Sequence, residues 1–224
     1  MFYKFPSTPH IEKRGDFVRN DKILCSHEIE TLFSKAISIE EKIDGANLGI
    51  SFNEEGELLL QNRGSYLTFP LIGQWGPLKE WIATHEDAIF DVITDKKILF
   101  GEWCYAKHSV FYNALPDWFI GFDIYDKKNE KFLSVKERDK LMKKMDIEIV
   151  PLLGYGIFTP KDIERFFSIS KFGDENCEGV YLRQDEELFL KYRAKMVRRE
   201  FQQAIEEHWS KKELQKNKLL TLTV

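Results

Sequence analysis

The chain has 224 residues, 43% of them apolar and 31% charged, and a net charge of −4 at pH 7. This size and apolar content support a substantial core in one large domain or two small ones. The acidic balance excludes a protein that attracts nucleic acid with its whole surface, so a nucleic-acid site has to be a local basic patch. The sequence has no apolar run of about 18 residues and no secretory h-region, so we expect neither a membrane span nor a signal peptide. Three widely spaced cysteines, Cys25, Cys104 and Cys177, argue against a disulfide framework or a zinc site and predict a reducing, cytoplasmic setting.

The first part of the chain predicts one helix followed by paired strands. Residues 1–22 are polar and interrupted by prolines and a glycine, which predicts an irregular N-terminal arm. The stretch "SHEIETLFSKA" (26–36) predicts a short helix capped by Ser26. From residue 37 the apolar positions recur with period two, and "DGAN" and "NEEG" stand where turns are expected. We therefore predict three strands joined by two hairpins, the last strand being "ELLLQNR".

The rest of the chain alternates strands and helices. A proline start, a capping box of Ser134 and Glu137, and a Thr-Pro start predict helices over 77–93, 134–145 and 159–167. The segments "KKILFGEWCYAKH", "WFIGFDIYD", "EGVYLR" and "ELFLKYR" predict four more strands. The tail, 195–224, is predicted to be helical. Because no linker interrupts the pattern, we predict one α+β domain over 1–224 with mostly antiparallel sheets.

The stretch "EEKIDG" contains a lysine that allows two interpretations. By strand alternation Lys42 lies opposite the face of Ile39 and Ile43, as either a solvated hairpin lysine or a reactive amine. Glu41 interrupts that apolar face, and a carboxylate there needs a partner or a ligand. A reactive lysine must lose its proton, and burial and neighbouring cations favour this by lowering its pKa from about 10.4. The spacing alone does not decide, because Asp-Gly is a common hairpin turn.

Four later segments bear on this choice. Glu102 follows a glycine at a strand end in "GEW", Phe122 lies within "FIGFDIY", and Glu178 begins "EGVYLR". In "LKYR", Lys191 and Arg193 share one face of a strand. Taken singly, Phe122 is most simply a core residue and the two glutamates are most simply surface acids. Chance does not readily explain all of these segments in this order.

In this order the segments resemble the motifs of the covalent nucleotidyltransferase superfamily of polynucleotide ligases and RNA capping enzymes. The resemblance is strongest to the ATP-dependent RNA ligases. Its motifs are "EKIDG" (41–45), "NRG" (62–64), "GEW" (101–103), "FIGFDIY" (119–125), "EGVYLR" (178–183) and "LKYR" (190–193). It implies the α+β fold of the ligase adenylation domain, ATP-grasp-like, with two antiparallel sheets around the nucleotide. No OB-fold domain is expected, because only a short, mostly helical stretch follows the last motif, which disfavours capping enzymes and typical DNA ligases.

The resemblance also implies a role for each motif residue. Lys42 would take AMP from ATP as a phosphoramidate, Phe122 would stack on adenine, and Glu41 would help recognise the base. The other implied contacts are Arg63 with the nucleotide and the incoming 5′-phosphate end, Glu102 with ribose or a metal, Glu178 with the metal through water, and Lys191 and Arg193 with the α-phosphate. The family usually has two lysines in the last motif, so Lys195 is a rival for the role of Arg193.

Together these roles imply an ATP-dependent RNA ligase that adenylylates an RNA 5′-phosphate and joins it to a 3′-hydroxyl. The implied cofactors are ATP, as AMP donor, and magnesium or manganese; magnesium prefers few carboxylates and several waters. The expected partner is RNA, with no membrane and with an accessory protein in place of a clamp domain. Two alternatives stay open: a minimal ligase that seals nicks in DNA, and an ATP-binding sensor module that does not ligate.

Overall fold

The computed structural model describes residues 2–12, 22–203 and 214–221, which form two antiparallel sheets with helices packed against them. This α+β architecture confirms the predicted fold class. The helices are α1 (Ser26–Phe33), α2 (Leu78–Ile93), α3 (Val135–Lys144) and α4 (Arg199–Gln203). The strands are β1 (Ile37–Lys42), β2 (Ala46–Phe52), β3 (Leu58–Gln61), β4 (Lys97–Trp103), β5 (Phe119–Asp126), β6 (Lys131–Phe132), β7 (Leu152–Gly156), β8 (Gly179–Glu186) and β9 (Phe189–Val197).

Strands β1 and β2 belong to different sheets, although only three residues separate them. The first sheet has the strand order β7-β1-β8-β9, and the second has the order β3-β2-β4-β5-β6. The predicted hairpin across "DGAN" is therefore wrong, because the chain crosses between sheets at 43–45. Gly45 suits this crossing, since a Cβ there would lie 2.9 Å from the carbonyl oxygen of Trp103. The crossing places Lys42, the last residue of β1, beside the second sheet.

The other hairpin, between β2 and β3, is confirmed. Its turn is closed by a hydrogen bond from the Asn53 N–H to the Glu57 carbonyl, 3.0 Å long. Gly56 has a positive φ of 80° at this turn, a conformation that glycine adopts without strain. The predicted strands β4, β5, β8 and β9 are also present, while β6 and β7 were not predicted.

Each sheet has its own apolar core. The alternating side chains of β2 pack with those of α2, β4 and β5 in one cluster. Ile37 and Ile39 of β1 pack with Val180 and Leu182 of β8 in another. The period-two pattern in the sequence therefore identified the buried faces of β1 and β2 correctly, even though the two strands do not pair.

The helix ends differ from the predicted ones in three places. The N-cap of α1 is Cys25, and Ser26 is the first helical residue. The hydroxyl of Ser134 makes no capping bond; the first N–H of α3 instead donates to Asp185 at 2.7 Å. The segment Pro160–Phe166 is a 3₁₀ helix rather than an α-helix. In α3, the carboxylate of Asp185, distant in sequence, thus takes the place of the predicted capping box.

The two ends of the described chain lie against the domain. Residues 2–12 form no helix and no named strand, and they run beside β9: the Lys195 N–H donates to the Pro9 carbonyl and the Ile11 N–H donates to the Lys195 carbonyl. Of the tail predicted to be helical, residues 199–203 form α4, residues 195–197 belong to β9, and residues 204–213 lie outside the described residues. Residues 214–221 are extended rather than helical, with isolated bridges to Ala106 and Leu115. None of the helices in the described ranges has the length and hydropathy of a membrane-spanning segment.

Candidate active site

A cavity of about 580 Å³ opens where the two sheets and the N-terminal arm meet. Its size falls in the usual range of small-ligand sites. It is lined by residues of β1, β2, β4, β5, β8 and β9 and by the crossing segment that follows β1. Six candidate site residues named in the sequence analysis lie on its wall: Glu41, Lys42, Arg63, Glu102, Phe122 and Lys195.

Lys42 lies among carboxylates. Its side chain is 24% exposed, and its Nζ donates to Glu178 Oε2 at 2.5 Å. Burial alone would lower the pKa of Lys42, but the carboxylates of Glu178, Asp44 and Glu102 outweigh burial and raise the pKa above its ordinary value. This is the reverse of the lowering expected from neighbouring cations. Lys42 is therefore a partly buried ammonium ion held by acids.

Asp44 anchors the segment that carries Lys42. Its Oδ2 accepts hydrogen bonds from the N–H groups of Ser109, at 2.6 Å, and Val110, at 3.0 Å. Its own N–H donates to the hydroxyl of Tyr112 at 2.8 Å. The Asp-Gly pair that suggested a hairpin turn thus ties the crossing segment to the loop that follows β4.

Two carboxylates lie near Lys42: Glu102, which lines the cavity, and Glu178, which does not line it but is bonded to Lys42. Glu102 Oε2 is buried and has no hydrogen-bond partner among the described residues. Burial raises the pKa of Glu102 well above its ordinary value, and Lys42 opposes this shift. A buried, unpartnered oxygen beside a second carboxylate fits a divalent ion or a sugar hydroxyl. Within the described residues, no group of three or more His, Cys, Asp or Glu side chains is arranged to hold a metal. Two carboxylates with water ligands nevertheless suit magnesium.

The apolar side of the cavity contains an aromatic ring. Phe122 of β5 lies on the wall with Ile43 and Val150. The ring of Phe5, from the N-terminal arm, packs edge-on against the ring of Phe122, with centroids 5.2 Å apart. A flat side chain between apolar neighbours fits the face of a nucleobase.

The carboxylate of Glu41 has protein partners. Ser170 Oγ donates to its Oε1 at 2.5 Å, and the Lys171 N–H donates to its Oε2 at 2.9 Å. Burial raises the pKa of Glu41, and these two hydrogen bonds oppose the shift. This explains a carboxylate on an apolar strand face. It also means that the Glu41 side chain does not need a base as its partner.

The cation that the structure brings to the cavity from β9 is Lys195. Lys195 lies opposite Tyr181 in the sheet, and both line the cavity. Lys191 is near the other end of β9, where its Nζ donates to the exposed carboxylate of Glu186 at 2.6 Å. Arg193 stacks over the ring of Phe132 at 4.6 Å and does not line the cavity. Lys191 and Arg193, expected at the α-phosphate, are thus placed elsewhere by the register of β9.

Sequence reasoning missed Asn47 and Thr8 on the wall; for His108, also on the wall, it favours a structural role over contact with a phosphate end. Asn47 of β2 faces Glu102 across the sheet, and its Oδ1 is buried without a hydrogen-bond partner in the described chain. Its place five residues after Lys42 was the available signal. His108 Nε2 lies 3.2 Å from Gln74 Oε1, within hydrogen-bond distance, and burial lowers the pKa of His108. No local pattern marked the arm residue Thr8, whose hydroxyl lies 3.2 Å from that of Tyr181.

A buried ionic network joins the two sheets beneath the cavity. Arg138 of α3 donates to Glu40 of β1 at 2.6 Å and to the carbonyl of Phe122 at 2.8 Å. Arg183 of β8 donates to Asp123 of β5 at 2.7 Å. The side chains of both arginines are at most 1% exposed. Since Glu40 and Phe122 both line the cavity, the network fixes the strand of Lys42 relative to the ring of Phe122.

The fold and the site together define a nucleotidyltransferase-like domain with one lysine set among acids. A family profile described as RNA ligase matches residues 35–197, most of the chain, and the chain belongs to that family. Among curated proteins, no sequence matches it.

Solved structures of the RNA ligase of Naegleria gruberi share the fold. The structure with pyrophosphate has a TM-score of 0.65 and 17% identity and covers 84% of this chain and 58% of that one. A lysine-to-alanine variant with ATP and Mn has a TM-score of 0.64 and 17% identity, covering 80% and 54%. A lysine-to-methionine variant with AMP and Mn has a TM-score of 0.61 and 16% identity, covering 80% and 54%. The chain thus spans just over half the length of these ligases.

Proposed function

We propose that this chain is the adenylation domain of an ATP-dependent RNA ligase, with Lys42 as its nucleophile. The observation that carries the proposal is the position of Lys42. It is a largely buried lysine, at the crossing between two sheets, in a cavity that also contains an aromatic ring and a second lysine. Membership of the RNA ligase family supports the same activity. A solvated hairpin lysine would have none of these neighbours.

The reaction would proceed in three displacements at phosphorus. The Lys42 amine attacks the α-phosphorus of ATP, a P–N bond forms, and the bond to the β-phosphate oxygen breaks, releasing pyrophosphate. An RNA 5′-phosphate oxygen then attacks that phosphorus, the P–N bond breaks, and AMP is transferred to the RNA. Finally the RNA 3′-hydroxyl attacks the activated 5′-phosphorus, forming the phosphodiester bond and releasing AMP.

Each of the cavity residues would contact a different part of the nucleotide or shape its pocket. Phe122 would stack on adenine, and Lys195 would neutralise charge on the phosphates as pyrophosphate leaves. Arg63, exposed at the cavity, would contact the nucleotide and the incoming 5′-phosphate. The carboxylate of Glu41 is bonded to Ser170 and Lys171, so we propose that Glu41 shapes the base pocket through the loop that it holds.

Glu102 and Glu178 would hold magnesium or manganese, which supplies positive charge against the triphosphate. The Naegleria structures contain Mn with ATP or AMP, which supports this assignment. Lys42 is paired with Glu178 and has a raised pKa, so it must lose a proton before it attacks. The three carboxylates around it are the nearest groups that could accept that proton.

RNA with 5′-phosphate and 3′-hydroxyl ends is the proposed partner, and the family supports it. An accessory protein acting as a clamp belongs to the same proposal. A reducing, cytoplasmic setting is proposed as well. The three cysteines, Cys25, Cys104 and Cys177, are all free thiols, which supports it.

The test begins with covalent labelling. The protein is first treated with pyrophosphate and magnesium to remove any AMP already bound, then incubated with ATP labelled at the α-phosphate and separated on a denaturing gel. We expect a labelled protein band that disappears with Lys42→Arg, a variant that keeps the charge beside the acids, and with a chelator. Lys140→Arg, a matched change of an exposed lysine on α3, should keep the label. Labelling that survives Lys42→Arg would refute the assignment.

The second arm supplies 5′-phosphorylated RNA or DNA of the same sequence to the labelled protein. Transfer of AMP to RNA and sealing of the RNA would support the ligase. If DNA, supplied as a nicked duplex, is sealed in preference to RNA, the nick-sealing alternative is favoured. ATP binding without any label would favour a sensor module.

A further inference from the structure

A loop with exposed apolar side chains borders the cavity. Residues 64–73, "GSYLTFPLIG", contain no charged residue; we call them the rim loop. The pairs on either side of the loop both line the cavity: Asn62 and Arg63 before it, and Gln74 and Trp75 after it. The rim loop therefore leaves the wall of the cavity and returns to it.

The rim loop is held to the domain at several points. Asn62 Oδ1 accepts hydrogen bonds from the first two N–H groups of the loop, at 2.8 and 2.9 Å. The Leu67 N–H donates to the Leu60 carbonyl at 2.8 Å, and Leu67 and Leu71 pack against the core. The ring of Tyr66 packs edge-on against that of Phe2, with centroids 5.3 Å apart. Its conformation is therefore set by contacts along its length.

Two side chains of this anchored loop remain in solvent. Phe69 is 63% exposed and Ile72 is 74% exposed. A ligand that covered both side chains would remove their apolar surface from water, which is favourable. Neighbouring Leu67 and Leu71 already satisfy the packing of the loop, so the core does not need Phe69 or Ile72. The exposed pair thus has the character of a contact surface.

We infer that the rim loop is a stacking platform for a base of single-stranded RNA near its reacting 5′ end. Proteins that bind single strands combine aromatic faces for the bases with cations for the phosphates. Phe69 supplies the face, and Arg63, exposed at the cavity, supplies the cation; its Nη2 is fixed by Ser7 at 3.1 Å. The absence of acids from the loop removes repulsion of the RNA phosphates in a chain whose net charge is negative. This inference rests on the proposed function, because it extends the same site toward its RNA.

Three substitutions of Phe69 separate stacking from general apolar contact. Phe69→Ala removes the ring, Phe69→Leu keeps an apolar side chain without a π face, and Phe69→Trp enlarges the π face. The matched control is Tyr155→Ala, an aromatic residue 72% exposed on β7 that does not line the cavity. Binding is measured by fluorescence anisotropy with a labelled, 5′-phosphorylated RNA oligonucleotide, at fixed ionic strength because salt weakens such binding.

We expect Phe69→Ala and Phe69→Leu to raise the Kd for RNA by about 5- to 150-fold, the range that loss of one base–aromatic stack produces. Phe69→Trp should bind at least as tightly as the original protein, with quenching of the added indole by RNA. Tyr155→Ala should bind like the original protein. Unchanged RNA affinity in Phe69→Ala would overturn the inference and assign the loop to a protein partner. Equal affinity of Phe69→Leu and the original protein would overturn stacking.

Covalent AMP labelling of the same preparations tests the proposed function separately. If the original protein never becomes labelled, the ligase proposal fails, while the RNA binding measurements still decide the role of the rim loop. If labelling and Lys42 behave as proposed but Phe69→Ala binds RNA normally, only the platform fails.

Discussion

Replacing Lys195 and Lys191 by alanine, one at a time, tests which lysine of β9 serves the phosphates. Lys195 lines the cavity, and although burial raises the pKa of Glu178, the charge of Lys195 is among those that oppose this shift, which places Lys195 near the acids around Lys42. Lys191 is four residues away along the strand, or about 13 Å at ~3.3 Å per residue. That distance exceeds the Debye length of about 8 Å at physiological ionic strength. The charge of Lys191 is therefore screened from the cavity.

The expected effects differ accordingly. A hydrogen bond to a charged group contributes about 1.5–3 kcal/mol, so Lys195→Ala should lower kcat/KM for lysyl-AMP formation by about 10- to 150-fold. Lys191→Ala removes only an exposed ion pair with Glu186, and such pairs contribute little. We expect its rate of lysyl-AMP formation to match that of the original protein.

The assay is the initial rate of AMP incorporation at several ATP concentrations, after removal of bound AMP with pyrophosphate. Thermal unfolding of both variants serves as the control for folding. Lys195→Arg, which keeps the charge, should recover part of the rate. A large loss of rate in Lys191→Ala together with a normal rate in Lys195→Ala would refute the placement of Lys195 at the phosphates. It would support Lys191 as the phosphate contact, as the motif implies.

Three further predictions concern the same cavity. Phe122→Ala should raise KM for ATP by about 5- to 150-fold, because it removes the ring that stacks on adenine. Phe122→Leu should restore packing but little of the ATP affinity. An unchanged KM in Phe122→Ala would contradict stacking of Phe122 on adenine. Glu178→Gln removes a carboxylate that raises the pKa of Lys42. Only the neutral amine attacks, so the rising limb of kcat/KM against pH should move to lower pH while the maximum falls; a limb that stays or moves to higher pH would contradict the pairing. Arg138→Met removes the partner of the buried carboxylate of Glu40 and should lower the free energy of unfolding in urea by about 3–5 kcal/mol. Adding Glu40→Gln should recover part of this loss. A loss below about 1 kcal/mol would show that the pair is not buried in solution.

Local patterns predicted seven of the nine strands of the described chain and most helix starts, because these depend on neighbouring residues. Alternation identified the buried faces of β1 and β2, and helical spacing identified α2. The pairing partners did not follow from the same patterns. "DGAN" suits a hairpin as well as a crossing, and the choice depends on β4 and on the loop at 109–112, which are distant in sequence.

The site residues could be predicted only to the level of strand faces. Alternation places Lys191, Arg193 and Lys195 on one face of β9 and cannot say which of them reaches the cavity. That choice is made by the register with β8, where Lys195 lies opposite Tyr181, and by the arm that bonds to Lys195 on both sides. A search for a phosphate-binding cation in this chain therefore needs the pairing of the strand as well as its sequence.

The direction of the Lys42 pKa shift also depends on contacts that are distant in sequence. A reactive lysine is expected to have a pKa lowered by burial and by neighbouring cations, and burial does act in that direction. Asp44, two residues along the chain, and Glu102 and Glu178, which are distant in sequence, raise the pKa instead, while Lys191 and Arg193 lie outside the cavity. Coulombic attraction to several close carboxylates exceeds the desolvation cost of one ammonium ion here. The largest charge contribution to the raised pKa comes from Glu178, a tertiary contact, and the pH profile of Glu178→Gln measures it directly.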